Sequence, residues 1–206
     1  MNNRFDQEAS QWDQQEPRVK MAVAIAEAMS RSVRLGSDRD LLDFGTGTGL
    51  IALRLHPHVR KVFAFDTSVG MLRALGDKLS QNGITNVELV QGVPSETMPK
   101  LPTVDIIVSS MALHHVRDTL GLARAFKTAL RQGGQLAIAD LDPEGGLFHA
   151  DHTDVMHDGF DRRELTGILV TAGFSDIEFG EAYVIEKPIA DGTLRPFTIF
   201  LVTAQA

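Results

Sequence analysis

Three glycines, Gly45, Gly47 and Gly49, alternate with Thr46 and Thr48 directly after the apolar run DLLDF at 40–44, and Asp66 closes a second apolar run 21 residues beyond Gly45. A strand that hands over to glycines lets backbone approach a ligand without side-chain obstruction and exposes the first amides of the helix that follows. A carboxylate at the end of the neighbouring strand can accept hydrogen bonds from both hydroxyls of a ribose. Loop and acid together point to a cofactor containing a nucleoside. A further acid, Asp43, stands two residues before the first glycine. The other chemically capable residues are histidines: His114 and His115 in MALHHV, then His149, His152 and His157 in the polar stretch 142–160. Imidazole is the natural proton acceptor from a hydroxyl or an acidic carbon near neutral pH, so His114, His152 and His157 are candidate bases. His149-x-x-His152-x4-His157, flanked by Asp151, Asp154 and Asp158, invites a metal reading. That spacing matches no standard helical ligand pair, and no metal is expected.

These residues need elements to hold them. Val19, Ala22, Val23, Ala26 and Met29 mark one helical face from Pro17 to about Val33. DLLDF reads as a strand, GTGTG as its exit loop, and LIALRL as a helix that Pro57 stops. KVFAFD at 61–66 is a second strand, followed by a helix through Met71, Leu72, Leu75 and Leu79 that ends near Asn82-Gly83. Strands at 87–90, 104–109 and 135–140 follow, with a helix through Leu120, Ala123 and Leu130 before the last of them. Apolar strands separated by helices imply a parallel sheet covered on both faces, that is, an α/β doubly wound fold. The stretch 142–160 reads as a long functional loop on the substrate side. A helix through Leu165, Ile168, Leu169 and Ala172 ends at Gly173, and two strand-like runs at 183–187 and 197–203 should pair as an antiparallel hairpin. One domain is expected over 1–206, with 1–34 as an N-terminal lid and helix.

Two details choose between cofactors. The third glycine of a dinucleotide fingerprint would fall at position 50, which is Leu50. Asp43 would lie unfavourably close to a pyrophosphate, yet favourably near the ammonium and sulfonium of S-adenosylmethionine (SAM). LLDFGTGTGLIA, VFAFDTS, VDIIVSSMALHHV and LRQGGQLAIADLDP, in that order, resemble the class I SAM-dependent methyltransferases, especially the small bacterial group that includes quinone-biosynthesis methyltransferases. The resemblance spans about 41–142. It implies a mostly parallel seven-stranded sheet of order 3-2-1-4-5-7-6, last strand antiparallel, with SAM over the carboxyl ends of strands 1, 2 and 4. It also implies Asp43, Gly45, Thr46, Gly47 and Gly49 around the methionine portion, Asp66 on the ribose, Thr67 and Met71 near the adenine, and Ser109 and Met111 bordering the cofactor and the acceptor cavity. After the third strand the family usually carries an acid for the adenine amine. Here Gly92, Val93, Pro94 and Ser95 stand there, so Gly92 and Val93 are expected to contact the adenine by backbone and packing, unless Ser95 or Glu96 substitutes.

The acceptor is read mostly by exclusion. A formal charge of −7 with no dense basic run argues against nucleic acid, and the absence of cysteine removes every thiolate mechanism. The Asn-Pro-Pro-aromatic signature of amino-methylating enzymes is missing, since Ser109-Ser110-Met111-Ala112 occupies its place; Ser109 and Ser110 also stand where magnesium-dependent catechol methyltransferases need an acid. A small-molecule acceptor, methylated on oxygen, carbon or nitrogen, is the leading expectation. Trp12, His114 and His149 are expected to line its pocket, with Trp12 and Phe5 folding back as a lid that excludes water. A non-catalytic SAM-binding sensor or partner subunit stays open. A nicotinamide oxidoreductase is opposed by Leu50 and Asp43. The polar start of the chain and the lack of any apolar run of about 18 residues predict a cytoplasmic protein that does not enter the membrane.

Overall fold

Leu41 and Leu42 lie side by side on the first strand and both are fully buried, one in each of two hydrophobic cores on opposite faces of a single sheet. A strand covered on both faces must be apolar at successive positions, as Leu41-Leu42 and Ile106-Ile107-Val108 are. The structure, a computed structural model, describes residues 4–92 and 100–206. Its sheet has the order β3-β2-β1-β4-β5-β7-β6. The strands are β1 (Gly36–Phe44), β2 (Val59–Asp66), β3 (Val87–Gln91), β4 (Val104–Ser110), β5 (Leu130–Leu141), β6 (Ser175–Pro188) and β7 (Leu194–Gln205). The β1–β2, β2–β3, β1–β4 and β4–β5 pairings are parallel, while β7 runs antiparallel to both β5 and β6. The chain order reverses between β1 and β4, which opens a crevice at their carboxyl ends, the usual ligand position in such sheets.

The helices are α1 (Arg4–Glu8), α2 (Glu16–Ser32), α3 (Ala52–Leu55), α4 (Val69–Gln81), α5 (Thr119–Ala129) and α6 (Arg162–Thr171). On one face α2 contributes Ile25 and Met29 and α3 contributes Leu55; on the other, α5 contributes Leu122 and Phe126 and α6 contributes Leu165 and Leu169. Among the described residues, no helix is long and apolar enough to cross a membrane.

The structure departs from the sequence reading at the element ends. LIALRL yields only the four-residue α3, and Pro57 sits inside the following 3-10 turn His56–His58, early enough in it that no amide is missed. The Gly133-Gly134 pair does not precede β5 but lies within it, where Gly133 has φ +71° and the pairing with β4 shifts register between Val104 and Ile106. β6 is also much longer than 183–187. Its first half alternates exposed polar residues with partly buried ones and is kinked by register shifts, one of them beside Asp176 at φ +49°.

Candidate active site

The end of β1 is drawn towards β2 because the amides of Gly45 and Thr46 both donate to the Phe65 carbonyl, each at 2.9 Å. Gly45, Gly47 and Gly49 all have positive φ (+72°, +55° and +82°). A β-carbon on Gly45 would come within 2.4 Å of the Ala112 β-carbon, and one on Gly49 within 2.3 Å of Leu75. Packing therefore explains those two. Gly47 differs: among the described residues a β-carbon there meets nothing within 4 Å, so its side is open.

Two carboxylates flank this loop. Asp43, buried at the end of β1, accepts the Thr46 hydroxyl at 2.7 Å and the Ala52 amide at 3.1 Å on one oxygen, capping α3 from below. Burial pushes its pKa up to about 7, and the neighbouring Asp66 charge adds to that against the two hydrogen bonds. Asp66 accepts the Gly47 amide at 2.7 Å on one oxygen and the Ser68 amide at 2.9 Å on the other. Its pKa is also raised by burial, less the relief from these amides. Among the described residues neither acid has a salt bridge, although Asp40, Asp105, Asp140 and Asp142 all do.

The remaining expected cofactor residues take varied positions. Thr67 is exposed, and Met71 is buried in the first turn of α4, its amide donating to the capping hydroxyl of Ser68. Gly92 donates its amide to the Asp66 carbonyl at 2.8 Å and lies so close to Phe65 that a β-carbon would sit 2.2 Å from the ring. Val93, with Ser95 and Glu96, lies outside the described residues. Ser109 donates its hydroxyl to the Phe44 carbonyl at 3.0 Å, tying β4 to β1. Met111, at φ +53°, turns the chain off β4, with its amide on the Ala139 carbonyl.

Sequence reasoning did not anticipate how the N-terminal segment is fastened. Asp6 accepts the Ser68 hydroxyl at 2.6 Å and the Gly70 amide at 2.8 Å; Asp13 accepts the Thr48 hydroxyl at 2.6 Å and pairs with Lys78. The segment is thereby pinned to both the glycine loop and α4. It carries Phe5, whose ring meets His115 edge-on at 5.3 Å and Trp12 at 5.9 Å, while the Arg18 guanidinium covers Trp12 at 3.9 Å.

Beyond β4, the 3-10 turn Leu113–His115 and the loop after β5 bring three imidazoles together. His114 is sealed in the interior, with Nδ1 2.7 Å from a carboxylate oxygen of the fully buried Asp140. Burial alone would raise the Asp140 pKa; the His114 charge and the hydrogen bonds of His114 and Leu141 outweigh it and hold it below its ordinary value. On its other edge, His114 Nε2 lies 3.2 Å from Nε2 of His149. His115 places Nδ1 2.7 Å from the Asp154 carbonyl, and its pKa is lowered by burial and then by His114. Burial, followed by the charges of His114, His115, Lys187 and Arg4, pushes His149 down to about 3. The expected pocket residues Trp12, His114 and His149 thus join one run of ring contacts through Phe5 and His115. His152 and His157 stand apart from the cluster: His152 faces Asp158 at 3.8 Å, and His157 Nε2 lies 3.0 Å from the Val116 carbonyl. The signals missed in the sequence were Asp140, an acid ending an apolar strand, and the clamps Asp6 and Asp13.

This sheet order, with a glycine loop at the β1 exit and an acid at the β2 end, is that of the Rossmann-like fold of SAM-dependent methyltransferases. Residues 41–134 match the family model of a methyltransferase domain. A methyltransferase of Schizosaccharomyces pombe is 28% identical over 159 residues, which cover 69% of this chain and 55% of that protein. The chain spans about half the length of the curated relatives it matches first. The crystal structure of a SAM-dependent methyltransferase from Aquifex aeolicus has a TM-score of 0.68 at 23% identity, covering 96% of this chain and 97% of that one. A phosphoethanolamine N-methyltransferase of Haemonchus contortus, solved with SAM, gives 0.69 at 15% identity over 98% of this chain and 60% of that one. In its central segment the chain is thus similar to methyltransferases, and in its fold to SAM-dependent ones.

Proposed function

We propose that residues 1–206 act as one unit that methylates a small-molecule acceptor carrying negative charge, with 1–34 as lid and 142–160 as the acceptor-side loop. The observation that carries this reading is the pair of carboxylates, buried Asp43 and partly buried Asp66, neither with a salt bridge among the described residues, beside an open Gly47. They fit SAM: Asp43 faces the ammonium and sulfonium, Asp66 takes the ribose hydroxyls, and the backbone at Gly47 comes close with no side chain in the way. SAM supplies a methyl group on a sulfonium, open to in-line attack.

The chain's own residues then position the acceptor and keep water out, which can deliver much of the rate without a dedicated base. Asp6 and Asp13 hold the lid down over the loop and α4. His149, with its pKa near 3, is a weak base at neutral pH, so the imidazole wall serves to bind and orient. The Lys187 and Arg4 charges reach that wall, and although Arg4 and Arg18 both pair with Glu8, Arg18 keeps a buried Nη1 with no partner among the described residues. Such cations favour a carboxylate- or phosphate-bearing acceptor, while the chain's net charge of −7 disfavours a nucleic acid.

The test is to incubate the protein with SAM and a panel of anionic and neutral metabolites and follow S-adenosylhomocysteine (SAH) release. Turnover restricted to anionic acceptors is expected. SAM binding with no turnover across the panel would instead make the chain a sensor or partner subunit.

A further inference from the structure

A buried carboxylate, a sealed imidazole and two partly exposed ones form a connected group that methyl transfer does not itself require. One ligand nitrogen from each of His114, His115 and His149 lies within 4.8 Å of the other two. The His114 and His149 Nε2 atoms are 3.2 Å apart. The edge of a tetrahedron of nitrogens around zinc, with Zn–N bonds of 2.0–2.1 Å, is about 3.3 Å. The outer partners also suit a metal. Asp140 faces His114 Nδ1 and the Asp154 carbonyl faces His115 Nδ1, so a neutral ring at either position would keep its proton on Nδ1 and leave Nε2 free to bind an ion. Carboxylate–histidine and carbonyl–histidine pairs of this kind fix the tautomer and orientation of metal-binding rings. The loop bearing His149 is itself anchored to this turn, because the Met156 and His157 amides both donate to the His114 carbonyl.

We propose that His114, His115 and His149 bind one divalent ion of the zinc class. Three nitrogens and no thiolate leave a fourth position open, as in catalytic rather than structural zinc sites. That position would take an anionic oxygen of the acceptor, which deepens the functional reading above and rests on it; ion binding itself does not. The His149-x-x-His152-x4-His157 set that the sequence displays is not the ligand set, since His152 and His157 are engaged elsewhere.

The test uses the full chain, stripped with a chelator and dialysed against Zn²⁺ alone, with metal content and a Co²⁺ titration as readouts. One equivalent of Zn²⁺ is expected, with the intense visible absorption of four-coordinate Co²⁺. His149→Ala should abolish stoichiometric binding, Asp140→Asn should weaken it by about 10- to 100-fold, and His152→Ala should leave it unchanged. Should His149→Ala not fold, His115→Gln provides the same reading. Substoichiometric zinc in the unaltered chain, or binding that survives His149→Ala in a folded variant, would overturn the proposal and leave the 3.2 Å contact as a hydrogen bond between two imidazoles. A chain that binds zinc but not SAM would keep the ion site and sink the methyltransferase reading; the reverse result would do the opposite.

Discussion

The Asp66 carboxylate receives the Gly47 amide at 2.7 Å, so the acid at the end of β2 holds in place the one glycine of the loop whose side is open. Asp66 therefore shapes the loop, and in the proposed reading it also receives the ribose. Asp66→Ala should lose charge-assisted hydrogen bonds of ~1.5–3 kcal/mol in total, which is about 10- to 150-fold in SAM affinity. Asp66→Asn keeps an acceptor for one amide and should lose less. Calorimetric titration with SAM and SAH checks this, and an Asp66→Ala variant that binds like the parent would remove the residue from the site.

The glycines divide into two kinds. Gly49→Ala places a β-carbon 2.3 Å from Leu75 in a left-handed backbone, so it should lower the melting temperature through roughly 1–3 kcal/mol of overpacking plus backbone strain. Gly47→Val meets no protein atom and pays only the backbone term of ~1–2 kcal/mol, yet its side chain would occupy cofactor space. It should remain folded and fail to bind SAM. Thermal unfolding with and without SAM separates the two, and normal binding by Gly47→Val would show the loop to be architectural.

The sheet and its loop are legible in the sequence because their signals are local. Consecutive apolar residues at Leu41-Leu42 and Ile106-Ile107 mark strands buried on both faces, and glycine spacing marks the turn. The first half of β6 is not legible, because an edge strand in which exposed Glu178 and Gly180 alternate with only partly buried Ile177 and Phe179 carries little apolar signal. The imidazole cluster is legible only in part, since the sequence assigns His114 and His149 to one pocket but gives neither their contact nor the place of His115 beside them. His149 lies 35 residues from His114, and only the return of the loop after β5 over the turn after β4 makes them neighbours. Spacing along the chain pointed instead to His152 and His157, which that same loop turns to other partners. The lid clamps escape notice for a related reason, since Asp6 and Asp13 stand in a uniformly polar stretch and only their distant partners single them out.

Asp43 gives the site a pH dependence of definite sign. Its folded pKa of about 7 lies above the ordinary value near 4, so the folded chain holds this proton more tightly than the unfolded one. The associated stability is fully present below about pH 4 and is lost as pH rises through 7, on the order of 4 kcal/mol in the absence of cofactor. A cationic ligand reverses the preference and favours the carboxylate. SAM affinity should therefore rise with pH up to about 7 and level off above it, with a proton released on binding on the acidic side. Titrations in two buffers of different ionisation enthalpy read that proton directly. Asp43→Asn should abolish the slope, and a parent chain with none would place the sulfonium away from this acid.

Asp13 bridges the N-terminal segment to the glycine loop and α4, accepting the Thr48 hydroxyl at 2.6 Å and pairing with Lys78, which in turn donates to the Thr48 carbonyl at 2.6 Å. These groups are partly exposed, so their loss should cost the whole fold only about 1 kcal/mol. The local effect should be larger, because the short α1 and the 3-10 turn Ala9–Gln14 bury only Ala9. Asp13→Ala is therefore expected to leave the melting temperature nearly unchanged, speed hydrogen exchange in residues 4–14, and raise the SAH release rate by about 5-fold, the equivalent of ~1 kcal/mol. Trp12, the only tryptophan in the chain, reports the motion, since it is stacked beneath Arg18 when the segment is down. Stopped-flow fluorescence should show faster release in Asp13→Ala than in the parent. If release and exchange both match the parent, the N-terminal segment is a fixed part of the wall and not a lid.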